Sequence, residues 1–345
     1  MSNSIVDSIN QLLPARRRTN SASGWTSFNA VCCHHNGESA DSRGRGGIIT
    51  NGDGGVSYSC FNCNFRASYV PGRHLTYKFR KLLSWLGADE NTIRRLVIEA
   101  IRVRELSPPE AMPDTDVTVE FAARPLPAEA QSFQTLDTFY MLNGNQNVPE
   151  QWHDAILYTA ARRVDLRQYD FYWTPETAYN LHRRVIIPFT WNHRIVGYTA
   201  RALYDEVRPK YYSQIEPNYV FNLDRQLPTS RFVIVCEGPF DAMAVDGVAV
   251  LSNSVSEPQA DIIDSLGRQV IVVPDFDRAG SQLIDHALEY GWDVSFPIWQ
   301  ENCKDISQAV ANYGKLFVLK AILDAAETSR LKIELRRRSL YTNLK

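Results

Sequence analysis

Two apolar runs that end in carboxylates constrain this chain most. Residues 232–236 read FVIVC and lead into Glu237; residues 270–273 read VIVV and lead through Pro274 to Asp275 and Asp277. Short runs of this kind are expected to be buried strands, and open α/β sheets bind ligands just beyond the C-terminal ends of their strands. Each run continues into a helix start, EGPFDAMA and DFDRAG. A lone Asp at such a place most often caps the next helix. Glu237 together with Asp275-x-Asp277 after two strands reads better as an oxygen-donor set for a hard cation such as Mg²⁺, which can stabilise both the attacking and the leaving oxygen of a phosphoryl group. Glu237, Asp275 and Asp277 are therefore the candidate catalytic residues.

A second group of donors lies near the N-terminus. Cys32, Cys33, His34 and His35 precede a Gly-rich spacer, after which come Cys60 and Cys63. The segments GGIIT, NGDGG and VSYSC between them read as strand, turn and strand, so the pattern predicts a zinc ribbon holding one structural Zn²⁺. Doubling of Cys and His at the first knuckle leaves the ligand choice ambiguous, with Cys33 and His34 as substitutes. Only Cys32 with His35 keeps two intervening residues, so the expected set is Cys32, His35, Cys60 and Cys63. Disulfides are the alternative, but six cysteines in 345 residues without a signal-peptide pattern make no disulfide scaffold. Cys236 and Cys303 have no such spacing and are expected to be small core or loop residues.

Length predicts several domains. No apolar run approaches the ~20 residues of a membrane span, so a cytoplasmic protein with no membrane partner is expected. The formal charge is only −2. It is uneven, with residues 1–104 and 315–345 net basic and 105–314 net acidic. A basic ribbon suits template phosphates, although solvated surface explains part of the imbalance. No Gly-x-x-x-x-Gly-Lys-Ser/Thr occurs, so the chain carries no P-loop motor.

Residues 183–212, RRVIIPFTWNHRIVGYTARAL…RPKYY, read as two strands around WNHR with basic residues emerging beside an aromatic pair. Arg and Lys neutralise phosphates and Tyr stacks on bases, which marks Arg184, Arg201, Lys210 and Tyr211 as nucleic-acid or nucleotide ligands. A solvated hairpin explains the same residues about as well.

These stretches together resemble a known family. Residues 231 to about 312 look like a Toprim domain: EGPFD matches its Glu-Gly-x-x-Asp pattern, and Asp275-Phe276-Asp277 with Gly280 matches its Asp-x-Asp-x-x-Gly pattern. A zinc ribbon followed by Toprim, with the 183–212 segment between them, resembles DnaG-type DNA primases; in size and layout it is most like the separate primases of T-even-like tailed bacteriophages. Ile187 and Ala200 depart from that family's Phe and Gly but keep shape. The resemblance implies Mg²⁺- or Mn²⁺-dependent synthesis of short RNA primers from ribonucleoside triphosphates on single-stranded DNA. It also implies a separate hexameric replicative helicase as partner and the cytoplasm of a bacterial host as location. It makes Glu237 the acid/base, and Glu237, Asp275, Asp277 and Asp305 the carboxylates for two or more ions. Asp241 and Lys304 are second-rank site residues; Ser307 stands where the family has another acid. A topoisomerase would need a further tyrosine domain, and a recombination mediator lacks the 183–212 segment. A non-catalytic zinc and Toprim DNA-binding protein is the competing class.

The expected fold is multidomain α+β and α/β. A zinc ribbon spans 1–72, a helical extension with a break at Gly87 spans 73–104, and an extended Pro-rich acidic linker spans 105–131. A mixed α+β subdomain (132–230), a Toprim domain with a central mainly parallel sheet (231–314) and one amphipathic C-terminal helix (315–345) follow. That helix, with an apolar stripe of Leu316, Leu319, Leu323 and Leu331, either packs on its own core or docks a helicase.

Overall fold

The computed structural model describes residues 4–106, 119–144, 147–175, 180–275, 280–299, 303 and 305–341. The chain is a multidomain α+β protein that divides into two compact units. The first holds Met1–Val117 with the pieces Pro228–Arg231 and Asp264–Gln269; the second holds the rest.

The first unit is built on an antiparallel meander, β1 (Arg17–Thr19), β2 (Thr26–Phe28), β3 (Gly46–Thr50), β4 (Val56–Cys60) and β5 (Arg66–Tyr69), adjacent in that order. The expected strand, turn and strand appear as β3 and β4. Asn51 N–H donates to the Gly55 carbonyl, and Asp53 Oδ1 accepts from Gly55 N–H, closing the NGDGG turn. Helices α1 (Ser4–Leu12), α2 (Tyr77–Trp85) and α3 (Glu90–Leu106) cover this sheet. The break falls where expected, with Gly87 at φ 98° between α2 and α3. Thr76 caps α2 by accepting from Phe79 N–H. Ile5 and Ile9 of α1, Tyr58 and Tyr69 of the sheet, Phe79 and Leu82 of α2 and Leu96 and Ala100 of α3 share one buried cluster. Ribbon and helices are therefore one folding unit, not a module with an appendage.

The second unit has two sheets. One is antiparallel, in the order β10 (Tyr211–Gln214), β9 (Arg194–Ala202), β8 (Arg184–Trp191), β7 (Tyr172–Trp173) and β6 (Gln131–Ser132), with helices α4 (Phe133–Leu142) and α5 (Glu150–Ala161) in the β6-to-β7 connection. Trp191 pairs with Arg194 around Asn192 and His193, both with positive φ, the two-residue turn that matches strand twist. Pro188 is tolerated inside β8 because β7 pairs with β8 only at Tyr172 and Ile186.

The other sheet runs β12 (Val248–Ala249), β11 (Phe232–Cys236), β13 (Gln269–Val272), β14 (Asp293–Ser295) and β15 (Ala326–Glu327). Strands β11 and β12 are parallel, as are β13 and β14, and β15 is antiparallel to β14. Its helices are α6 (Pro239–Val245), α7 (Glu257–Ser265), α8 (Gly280–Tyr290), α9 (Ile306–Tyr313), α10 (Lys315–Asp324) and α11 (Arg330–Tyr341). The core combines Ile234, Ile271 and Val273 of the strand region with Val245, Ile306, Val310, Val318 and Ile322 of the helices.

Two expectations need correction. Residues 107–118 of the expected linker lie outside the described residues, but residues 119–131 are not a free spacer. Phe121 is buried edge-on to the rings of Trp191 and Tyr219, Trp191 Nε1 donates to the Val119 carbonyl at 2.9 Å, and Arg124 N–H donates to Ile195. Proline and acid content hid an apolar anchor. The C-terminal region is helix, strand and helix rather than one helix, because β15 adds an edge to the sheet. The buried face of α10 is Val318 and Ile322, whereas Leu316 and Leu331 are 84% and 70% exposed. Of the expected leucine stripe only Leu319 packs on the core, and Leu316, Leu323 and Leu331 are exposed.

Candidate functional site

In the first unit, four sulfurs meet. The Sγ atoms of Cys32, Cys33, Cys60 and Cys63 lie within 4.8 Å of one another. Cys32 is 3.4 Å from Cys63 and Cys33 is 3.6 Å from Cys60. These separations are too long for disulfides, at about 2.05 Å. They match the ~3.8 Å edge of a tetrahedron with Zn–S bonds of about 2.3 Å. The donor set fits zinc. Burial pushes the Cys32 and Cys33 thiols up, so a cation is needed to make them thiolates.

The ligand set corrects one expectation. Cys33, not His35, completes the four: Cys32 precedes a 3₁₀ turn, Cys33–Asn36, which turns Cys33 inward and His35 outward. The His35 ring instead lies flat on Trp85 at 4.6 Å. Two intervening residues was the wrong criterion, because adjacent residues in a tight turn direct both sulfurs to one point.

Each sulfur also has a hydrogen-bond donor, which stabilises negative charge on a metal-bound thiolate. Tyr58 and Cys32 Sγ are 3.3 Å apart, Asn62 Nδ2 donates to Cys33, Asn62 N–H to Cys60 and Asn36 Nδ2 to Cys63. Asn62 Oδ1 accepts from Arg45, which is paired with buried Asp41 at 2.9 Å. Asp41 also accepts from the Ala30, Arg43 and Arg45 N–H groups, which holds its carboxyl well below the usual range despite burial. Gly46 makes room for this: a Cβ there would come within 2.8 Å of the Tyr58 hydroxyl.

In the second unit, Glu237 and Asp275 lie just beyond the ends of β11 and β13. Val273 N–H donates to Val235 O, and two residues further on each strand Asp275 N–H donates to Glu237 Oε1 at 3.3 Å. The two carboxylates thus sit at the same end of neighbouring strands. Gly280 at the start of α8 is required by contact, since a Cβ would lie 2.1 Å from the Asp275 carbonyl oxygen. Asp241, on the first turn of α6, is buried and accepts from Ser307 N–H at 2.8 Å. Burial, together with Asp305 and Asp275, pushes Asp241 up to about 8. Burial is the first cause of that rise and the nearby Asp305 and Asp275 carboxylates the second, and among the described residues the four cysteines are the donor group close enough together for a metal. One oxygen of Asp305 is committed to capping α9, accepting from Gln308 N–H. Asp277 and Lys304 lie outside the described residues. Cys236 is buried in β11, and Cys303 is a loop residue accepting from Asn312.

The basic residues divide. Arg184 is 1% exposed and its guanidinium donates to the carbonyls of Ala200, Pro209 and Lys210. It staples the β9-to-β10 connection to the start of β8 and is turned away from phosphates, contrary to expectation. Arg201 stacks over the Tyr211 ring at 4.7 Å, its direct cross-strand partner. Burial pushes Tyr211 up to about 12, with Asp241 and Arg162 among the charges it senses, so this pair belongs to the acidic site. Lys210 is exposed beside it. Arg162, at the end of α5, was not anticipated. Its guanidinium faces the rings of Tyr158 and Phe240 at 4.8 and 4.7 Å. A charged residue ending a helix gives no sequence signal of that kind.

No family model matches the chain. It is similar to a curated DNA primase of Aquifex aeolicus (strain VF5), 22% identical over 178 residues, covering 46% of this chain and 36% of that protein. The match thus spans about a third of its relative's length. Among solved structures, the zinc-binding and RNA polymerase domains of the Aquifex aeolicus primase align with 98% of this chain and 87% of theirs, at 16% identity and a TM-score of 0.44. The RNA polymerase domain of Mycobacterium tuberculosis primase DnaG aligns with 59% of this chain and 85% of its own, at 17% identity and a TM-score of 0.47. The proteins to which this chain is similar are DNA primases.

Proposed function

We propose that this protein is a DNA primase that joins ribonucleotides on single-stranded DNA into short primers. Glu237 and Asp275 at one end of adjacent strands, beside Asp241, which burial and then its carboxylate neighbours push up, are the observation that carries the reading. Glu237, Asp275, Asp277 and Asp305 would hold Mg²⁺, which supplies stabilisation of charge on the attacking and leaving oxygens. Glu237 accepts the proton as the 3′-hydroxyl of one nucleotide attacks the α-phosphate of the next, whose α–β bond breaks to release pyrophosphate. Lys210 orients phosphates at the rim and Arg201 from within the site, where Tyr211 fixes its plane by stacking. Residues 231–314 form the Toprim catalytic domain, residues 132–230 its N-terminal companion, and the zinc-bearing unit meets the template. The partner is a separate hexameric helicase, and the setting is phage DNA replication in a bacterial cytoplasm.

The test is incorporation of labelled ribonucleotides on single-stranded DNA with Mg²⁺ or Mn²⁺, with and without a helicase from the same source. Short labelled primers, made in greater yield with helicase, are expected. DNA binding without incorporation under every condition would make the chain a non-catalytic zinc and Toprim binding protein.

A further inference from the structure

Arg337 of α11 binds two residues of α8 that lie one turn apart. Its Nε and Nη2 donate to Ser281 Oγ at 3.0 and 2.6 Å, and its Nη1 and Nη2 donate to Asp285 Oδ1 and Oδ2 at 2.5 and 3.0 Å. Ile333, one turn earlier on the same face of α11, is 1% exposed, so the fork extends a packed contact. Asp285 is itself largely exposed, and an ion pair to such a carboxylate adds little stability. What the planar guanidinium adds is direction: one rigid plane meeting two acceptors four positions apart fixes how α8 is turned about its axis.

The start of α8 rests on the backbone of Asp275. Gly280, its first residue and the neighbour of Ser281, lies so close that a Cβ there would be 2.1 Å from the Asp275 carbonyl oxygen and 3.0 Å from its nitrogen. That nitrogen donates to Glu237 Oε1 at 3.3 Å. A close-packed contact of this kind transmits a shift rather than absorbing it. Any turning of α8 at Ser281 therefore reaches the amide that ties the two strand-end residues together.

We propose that Arg337 is a positioning residue for Asp275: its fork on Ser281 and Asp285 sets the first turn of α8 and, through Gly280, keeps the Asp275 amide on Glu237. The inference rests on the catalytic reading above, and its test adds a readout that needs neither nucleotide nor metal. Hydrogen exchange at the Asp275 amide, resolved by fragmentation mass spectrometry of the full chain, is measured beside primer synthesis. The proteins are wild type, Arg337→Met, Arg337→Lys and Ser281→Ala.

Arg337→Met should exchange the Asp275 amide roughly two- to fivefold faster, the shift that one well-oriented ion pair supports. Its kcat for primer synthesis should fall roughly tenfold with KM for the ribonucleotide unchanged, as when reacting groups are displaced but binding is not. Arg337→Lys, which meets one acceptor at a time, should fall between. Ser281→Ala keeps the Asp285 pair and the Ile333 contact, so it should speed exchange at Asp275 while leaving α11 as in wild type. Faster exchange confined to residues 330–341 would mean that Arg337 only fastens its own helix, and an equal rise across the second unit that it only stabilises the fold; either overturns the proposal. So does wild-type exchange at Asp275 in Arg337→Met and Ser281→Ala. A wild type that makes no primer removes the catalytic reading, while exchange at Asp275 still decides whether Arg337 sets its position.

Discussion

Replacing Cys33 by Ser and His35 by Ala separates the two possible zinc sets. A tetrahedral four-sulfur site has edges of about 3.8 Å, and the Cys33 to Cys60 and Cys32 to Cys63 separations of 3.6 and 3.4 Å come within a few tenths of that without a metal. Cys33→Ser removes one of four thiolates and the acceptor of the Asn62 Nδ2 bond. A structural zinc is worth roughly 10–16 kcal/mol of folding free energy in small modules. The whole first unit is at risk, because Cys32, Cys33 and Cys60 share a buried cluster with α1, α2 and α3. His35→Ala removes a ring stacked on Trp85, a contact worth about 0.5–1.5 kcal/mol. Zinc per chain by elemental analysis, with far-UV circular dichroism melts, reads both. Cys33→Ser should retain well under one zinc and lose the first melting transition, while His35→Ala should keep one zinc and melt slightly early. Zinc retained by Cys33→Ser and lost by His35→Ala would refute the four-cysteine site.

Asn62→Ala should keep the ligands but speed zinc transfer to a chromogenic chelator, since loss of a supporting hydrogen-bond partner costs about 10–100-fold in metal affinity. Arg184→Met should destabilise the second unit by about 1–3 kcal/mol in denaturant melts, as expected when buried carbonyl acceptors lose their charged donor; the salt dependence of DNA binding should not change, because Arg184 reaches carbonyls rather than phosphates. Asp241 gives a pH signature in metal-free protein. Its folded pKa, about 8, lies above the ordinary 3.8, so the folded state binds the extra proton between those values; stability is fully present below about pH 4 and falls as pH rises toward 8. Asp241→Asn should flatten that fall, and an equally steep profile in the variant would contradict the assignment.

Features set by local chemistry were legible in the sequence. The β3 and β4 hairpin, the WNHR turn, the Gly87 break and the strand-end carboxylates each follow from residue type and spacing along a few neighbouring positions. What was missed depends on where a side chain points in three dimensions. Arg184 and Arg201 look alike in sequence and both are buried, yet one bonds its own strand connection and the other stacks on a tyrosine. The doubled cysteine at positions 32 and 33 was visible, but only the 3₁₀ turn decides that both sulfurs face the same point. Phe121 was hidden by the composition around it, and in α10 the packing face centres on Val318 and Ile322 with Leu319 at its edge, which counting leucines alone does not reveal. Arg162 carries no local signal, since its partners come from positions 158, 240 and 307.

The central claim is that the carboxylates at the ends of β11 and β13 perform nucleotidyl transfer. Asp275→Asn tests it most directly, because it keeps the side chain's size and the backbone N–H that meets Glu237 while removing the negative charge. Primer synthesis and DNA affinity are measured on the same preparations of wild type and variant in Mg²⁺. Wild-type primers with none from the variant, at DNA affinities within a few-fold of each other, is the predicted result; an Asp275→Asn protein with normal primer yield contradicts the account.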